Sequence, residues 1–284
     1  MAAQSRASRR GGKGAGHALT TLFLITASAF TLFPIYMGLL NSFKSDGEML
    51  NNVLAFPSRL NFSNYLDAYR KIEYMNSFIN TVAVTVIGVV GIILFASMAG
   101  YKMSRTPGKL STFLFGLFVL SSLIPFHSIM ISLVKITKEL YVQGTTYGLG
   151  LIYIGLGVAL AIFLYHGFVK SIPRDLDEAA LIDGCGEFRL FFSIILPLLL
   201  PITATVAILN ALWMWNDFLL PLLMLTDSKY YTLLISTNML FGEYNNDWSA
   251  ILSALILTML PVLIVYMFMQ KYILSGISEG AIKG

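Results

Sequence analysis

Six stretches of this 284-residue chain are apolar for about the length a helix needs to cross a bilayer, and nothing else in the sequence restricts its fold as strongly. The first, Ala18–Leu40, runs 23 residues without a charge. The others are Phe78–Tyr101, Leu110–Val134 (interrupted by Pro125), Tyr147–Val169, Leu198–Leu220 and Ser249–Tyr272. In hydrocarbon every backbone polar group must be bonded within the protein, so segments of this length read as helices. The expected fold class is therefore all-α, a polytopic membrane protein with six transmembrane helices. Length alone would suggest about two soluble domains. With 56% apolar and only 12% charged residues, composition overrides that expectation. A single cysteine, Cys185, excludes an internal disulfide, and three scattered histidines have no metal-ligand spacing. No Gly-rich loop ending in Lys-Ser/Thr is present to bind ATP by the usual device, and no aromatic-basic stretch points to nucleic acid.

Charge sets the expected orientation. Residues 1–17 carry Arg6, Arg9, Arg10 and Lys13 without an acid and read as a mobile, basic, cytoplasmic tail. Ala27-Ser28-Ala29 after that tail resembles a signal-peptide cleavage site, but the apolar run continues to Leu40, so an uncleaved first span is expected. With both termini cytoplasmic, twelve Lys/Arg fall on the inner face and seven on the outer. That is the asymmetry that orients spans. The membrane domain then covers 18–273, and 274–284 form a second cytoplasmic tail.

Between the fourth and fifth spans, Ser171–Pro197 gathers Asp175, Asp177, Glu178, Asp183 and Glu187, too many charges for a bilayer core. Its first half reads as a short helix, with Asp175 and Glu178 as a capping box and Gly184 in the left-handed conformation at its end. Leu176, Ala179, Ala180 and Asp183 share one face, which leaves apolar surface suited to a docking partner.

The run EAALIDGCG at 178–186, leading to Ile195-Leu196-Pro197, resembles the cytoplasmic EAA loop of permease subunits in binding-protein-dependent ABC importers. Glu178, Ala179, Ala180, Asp183 and Gly184 fall on that motif. The resemblance implies that loop 171–197 carries a coupling helix seated in a groove of an ATPase subunit. LNFSNYLDAY at 60–69 and NSFINT at 76–81 resemble the family's external segment, in which an Asn-Tyr precedes the Asn-Ser that opens the second span. The ending GISEGAIKG resembles that of the carbohydrate-uptake branch, the maltose and multiple-sugar type. The resemblance further implies a second related permease subunit, two cytoplasmic ATPase subunits that bind the ATP, and an extracytoplasmic sugar-binding protein. It also implies membrane lipid as surroundings and the bacterial inner (plasma) membrane as location, with no cofactor in this chain and no enzymatic activity of its own.

In the fifth span Asn210, Trp213, Trp215, Asn216 and Asp217 cluster where an acid is costly. Spacings of three and four place 210, 213 and 217 on one side of a regular helix, as candidates for the substrate path, with Trp215 and Asn216 as secondary candidates. An aromatic belt near the outer membrane surface accounts for the same residues. WNDFLLP at 215–221 also resembles a segment of sugar permeases. His127 and His166 read as packing residues. Pro34, Pro125, Pro221 and Pro261 mark bends in or beside spans. Gly148, Gly150, Gly155 and Gly157 permit close helix approach. Two other functions stay open: an ion- or proton-coupled carrier acting as a dimer, which would need an intramembrane acid-base chain, and an intramembrane hydrolase or transferase, which would need a nucleophile-base pair or metal set.

Overall fold

The computed structural model describes residues 2–242 and 246–281, with side chains placed for 17–242, 246–268 and 270. Among these residues every regular element is helical. α1 spans Ala2–Ser42 and carries Pro34 without a break. The stretch expected as a mobile tail thus continues the first helix. Two short helices, α2 (Asp46–Asn51) and α3 (Ser63–Lys71), precede α4 (Tyr74–Arg105). Next come α5 (Lys109–Ser122), α6 (Phe126–Glu139) and α7 (Thr146–Val169). The acidic loop holds α8 (Asp175–Ile182) and α9 (Glu187–Leu190), followed by a π-helical turn at Phe191–Ile195 and α10 (Leu196–Leu198). α11 (Leu200–Trp215), α12 (Leu219–Met224), α13 (Leu233–Asn238) and α14 (Trp248–Ala281) complete the chain.

Among the described residues four helical stretches are long and apolar enough to cross a membrane alone: His17–Ser42, Tyr74–Arg105, Thr146–Val169 and Trp248–Phe268. The expected third and fifth spans are broken instead. α5 and α6 meet at 103°, and Glu187–Leu198 meets α11 at 76°. Prolines cause both breaks. A proline disfavours the helical region for the residue before it, and Pro125 starts α6 afresh from an extended backbone angle. Pro197 and Pro201, with no N–H to donate, each remove one bond from the helical ladder around Leu199. The π turn just before them is the local adjustment. Pro221 lies in α12, beside the span as expected, and α11 ends at Trp215, five residues before the expected Leu220.

The chain forms two compact units, Met1–Ala68 with Phe241–Leu257, and Tyr69–Leu240 with Thr258–Gly284. In the first, the Asn64-Tyr65 pair clamps the end of α1. The amide of Asn64 donates to the carbonyls of Ser42 and Lys44, each at 2.8 Å, and Tyr65 shares a 2.6 Å hydroxyl bond with Ser42. Lys44 is fully buried, its ammonium donating to the carbonyls of Asn52 and Val53 just past α2. Ser249 donates through N and Oγ to Asp46 at 2.9 and 2.7 Å.

In the second unit, α4 and α7 form the central pair, burying Ile92 and Ala96 against Leu149, Tyr153, Ile162 and Tyr165. Glycines let the two backbones approach. A Cβ at Gly100 would lie 2.7 Å from Tyr165 Cβ and 3.0 Å from the His166 nitrogen. One at Gly157 would lie 2.4 Å from Ile92 Cδ1. Gly155, expected in the same role, faces open space, and Gly148 accommodates the Val142 carbonyl instead. Val206 and Met214 of α11 complete the core. The Asn-Ser that opens α4 is also accounted for. Asn76 donates to the Lys229 carbonyl at 3.0 Å, and Ser77 shares a 2.7 Å bond with Ser236.

Candidate functional site

α8 is the chemically loaded part of the acidic loop, and it begins one residue differently from expectation. Arg174 takes the cap position in helical geometry with no side-chain cap, so the capping box of Asp175 and Glu178 does not form. The amides of Asp177 and Glu178 bond the Arg174 carbonyl instead, at 2.9 and 3.1 Å. The other end follows the sequence. Gly184 sits at φ +78°, Cys185 N donates to the Ala180 carbonyl at 2.9 Å, and Gly184 N donates to that of Leu181 at 3.0 Å. These two bonds make a Schellman end, which favours a glycine at the left-handed position.

What holds α8 is a residue outside the expected face. Asp177 turns inward and pairs with Arg105 at the end of α4 (2.9 Å), each side chain only 12% exposed. Tyr101, one turn earlier on α4, donates its hydroxyl to the other Asp177 oxygen. Arg105 also donates to the Ile172 carbonyl at 3.0 Å, so one guanidinium ties both the entry to the loop and its helix to α4. Outside this buried pair, Lys102 bonds Glu187 at 3.0 Å in a largely exposed bridge. A cavity of about 390 Å³ lies between the end of α4 and the loop, bordered by Tyr101, Arg105, Asp177, Glu178 and Phe188.

With Asp177 and Ala180 directed inward, Leu176, Glu178, Ala179, Asp183 and Gly184 are exposed, and Ile182 is 86% exposed. Ala180 therefore packs into the core under the helix rather than lying on the outward face assigned to it with Leu176, Ala179 and Asp183. Asp177 and Arg105 were legible as charges only. The acid lies about 100° round the helix from Leu176, and the arginine entered the sequence reading through the count that sets orientation.

The fifth-span residues separate into two sets. α11 ends at Trp215 with Asn216 as its cap, so Asp217 lies beyond the helix and does not share its face by helical spacing. A residue absent from the sequence reading, Tyr153 of α7, brings it back. The fully buried Tyr153 donates to Asp217 at 2.8 Å and packs edge-on against Trp213 at 5.2 Å. Asn210 lies against Gly157, one turn along α7, with its own amide bonded to the Val206 carbonyl at 2.8 Å. Asp217 also accepts from Leu219 N at 3.1 Å, capping α12. Trp213 remains 41% exposed beside this cluster. Trp215 and Asn216, the secondary candidates, bond other groups. Trp215 donates to the Thr258 carbonyl at 3.4 Å, and Asn216 donates back to Leu212 at 2.7 Å. His166 stacks on Phe115 at 4.1 Å, a packing contact.

Comparison with known proteins extends this geometry. The family model described as "Binding-protein-dependent transport system inner membrane component" matches residues 92–279, which include α8 and the fifth-span cluster. The chain is 39% identical over 265 residues to the probable starch degradation products transport system permease protein AmyC of Thermoanaerobacterium thermosulfurigenes, covering 93% of this chain and 96% of that protein. It is 35% identical over 267 residues to the melibiose/raffinose/stachyose import permease protein MelC of Bacillus subtilis, covering 94% and 96%. Its fold is similar to a chain in the crystal structure of a bacterial ABC transporter involved in the import of the acidic polysaccharide alginate. That match has a TM-score of 0.78 at 21% identity and covers 89% of this chain and 95% of the other.

Proposed function

This chain belongs to the family of binding-protein-dependent transport system inner membrane components, multi-pass membrane permeases rather than enzymes, and on that premise we propose that it is one permease subunit of an ABC importer for a sugar or oligosaccharide. It forms half of the translocation path with a second, related permease subunit. Two cytoplasmic ATPase subunits bind and hydrolyse ATP, and an extracytoplasmic binding protein delivers the sugar. α8 is the coupling helix. In this reading the broken pairs α5–α6 and α9–α11 each count as one span, giving six, and the basic asymmetry supports a cytoplasmic side for α8 and both termini.

The observation that carries this proposal is the two-faced attachment of α8. Its inner side is locked to α4 by Asp177 and Arg105, while Leu176, Ala179 and Ile182 face outward uncovered. A helix fixed to a transmembrane helix on one side and free on the other can pass a push from a docked subunit straight into the bundle. The relatives' cargoes, starch degradation products and melibiose, raffinose and stachyose, support a sugar as cargo. On the path we place Trp213 with Asn210, Asp217 and Tyr153. An aromatic face suits the apolar side of a sugar ring, and amide and carboxylate groups suit its hydroxyls. Co-purification from mild detergent should recover ATPase and second permease subunits with this chain. Glu178→Lys and Ala179→Leu, both on the outward face, should lower ATPase retention or substrate-stimulated hydrolysis several-fold in proteoliposomes while the chain still inserts. Undiminished retention and coupling in both variants would remove α8 from the docking surface.

A further inference from the structure

Where α4 ends, α5 begins and α7 ends, a second hollow of about 690 Å³ opens beside the acidic loop. Three cations border it, Arg105, Lys170 and Arg174, and no acid does. Among the described residues neither Lys170 nor Arg174 has an ion-pair partner. Two further donors are left over. Ser104 lies on the wall with 8% exposure, and its hydroxyl has no hydrogen-bond partner; neither has the buried Nε of Arg105. Donors buried in this way are costly unless an acceptor reaches them. The hollow is therefore short of negative charge and of acceptor oxygens together.

Its surroundings identify the source of both. The hollow sits at the ends of helices long and apolar enough to cross a membrane, where a bilayer that they cross would present its headgroups. Phe115 on its wall adds an apolar side, and on the next face of α5 Leu110, Phe113 and Leu117 are exposed. A soluble anion would answer the charge but leave that apolar border without a role. We infer that this hollow binds the phosphate headgroup of an anionic phospholipid, with Lys170 and Arg174 as counter-charges, Ser104 as a donor and the acyl chains along α5. The lipid would brace the loop that carries α8, because Arg174 immediately precedes that helix.

The test uses the full chain co-purified with its partner subunits from membranes containing phosphatidylglycerol and phosphatidylcholine. Native mass spectrometry should find phosphatidylglycerol retained over phosphatidylcholine. Lys170→Gln should weaken that retention about five-fold, and Lys170→Gln with Arg174→Gln roughly twenty-five-fold, as expected for cations near an anionic surface. Should the double variant fail to assemble, a photoactivatable phosphatidylglycerol in the unsubstituted complex decides the matter. Its label should fall on peptides covering 104–115 and 166–174. Millimolar glycerol phosphate should not displace the lipid. Equal retention of the two lipids, label confined to other peptides, or retention unchanged in the variants would each overturn the inference. Displacement by glycerol phosphate would make this a free-phosphate site, and crosslinks from positions 170 and 174 to an ATPase subunit would make it a protein contact; either result overturns it as well.

Discussion

Replacing Asp177 by alanine should release α8 from α4. The substitution removes one member of a pair whose side chains are each 12% exposed, leaving the Arg105 guanidinium buried with the Ile172 carbonyl as its remaining acceptor. Removing one partner of such a pair costs about 3–5 kcal/mol, most of it from the charge left behind. α8 has eight residues, and a helix that short is marginal in water once detached. Hydrogen exchange of its amides therefore reads detachment directly. A loss of ~3 kcal/mol corresponds to roughly 150-fold faster exchange of peptides covering 175–185. Lys102→Ala supplies the contrast, since its bridge to Glu187 is 59% and 76% exposed and such pairs contribute at most about 1 kcal/mol. Arg105→Met combined with Asp177→Leu should restore most of the protection, because it removes both charges and leaves apolar packing. Exchange in Asp177→Ala no faster than in Lys102→Ala would refute the anchoring role. So would a double variant as labile as the single one.

Gly100→Ala should lower the thermal unfolding midpoint of the detergent-solubilised chain by an amount equivalent to about 1–3 kcal/mol, since its Cβ meets Tyr165 and the His166 backbone. Gly155→Ala, facing open space, should be neutral or gain up to about 1 kcal/mol of helix propensity. Trp213→Ala and Tyr153→Phe should impair uptake or shift sugar preference in proteoliposomes with ATPase docking intact; transport surviving both, with a cysteine at 213 labelled only from lipid, would return Trp213 to an interfacial belt. Cysteines at positions 12, 108 and 186 should react with an impermeant thiol reagent from the cytoplasmic side and those at 47 and 144 from the other, in a Cys185→Ser background, and one position on the wrong side would break the six-span count.

The apolar runs and their charge-free length were enough to specify helices and a membrane class, because satisfying the backbone in hydrocarbon is a local requirement that each segment meets alone. The left-handed end of α8 was legible for the same reason: Gly184 followed by Cys185 closes two bonds within one turn. Motif residues such as Asn64 and Asn76 could be recognised in the sequence, but their partners, the Ser42 and Lys229 carbonyls, lie 22 and 153 residues away. Partner choice across such distances is decided by which backbones the packing brings together. Asp177 carried no signal separating it from the four other acids of its loop until Arg105 came within 2.9 Å. Asp217 was assigned to a helix face it does not share, since local spacing cannot foresee that α11 stops at Trp215 or that Tyr153 reaches across to it. Periodicity and capping reside in neighbouring residues and are written in the chain. Charge pairing, burial and the bends at Pro125 and at Pro197–Pro201 acquire their consequences only when α4, α7 and α11 close on one another, and that closure follows from close-packing of surfaces that no single stretch contains.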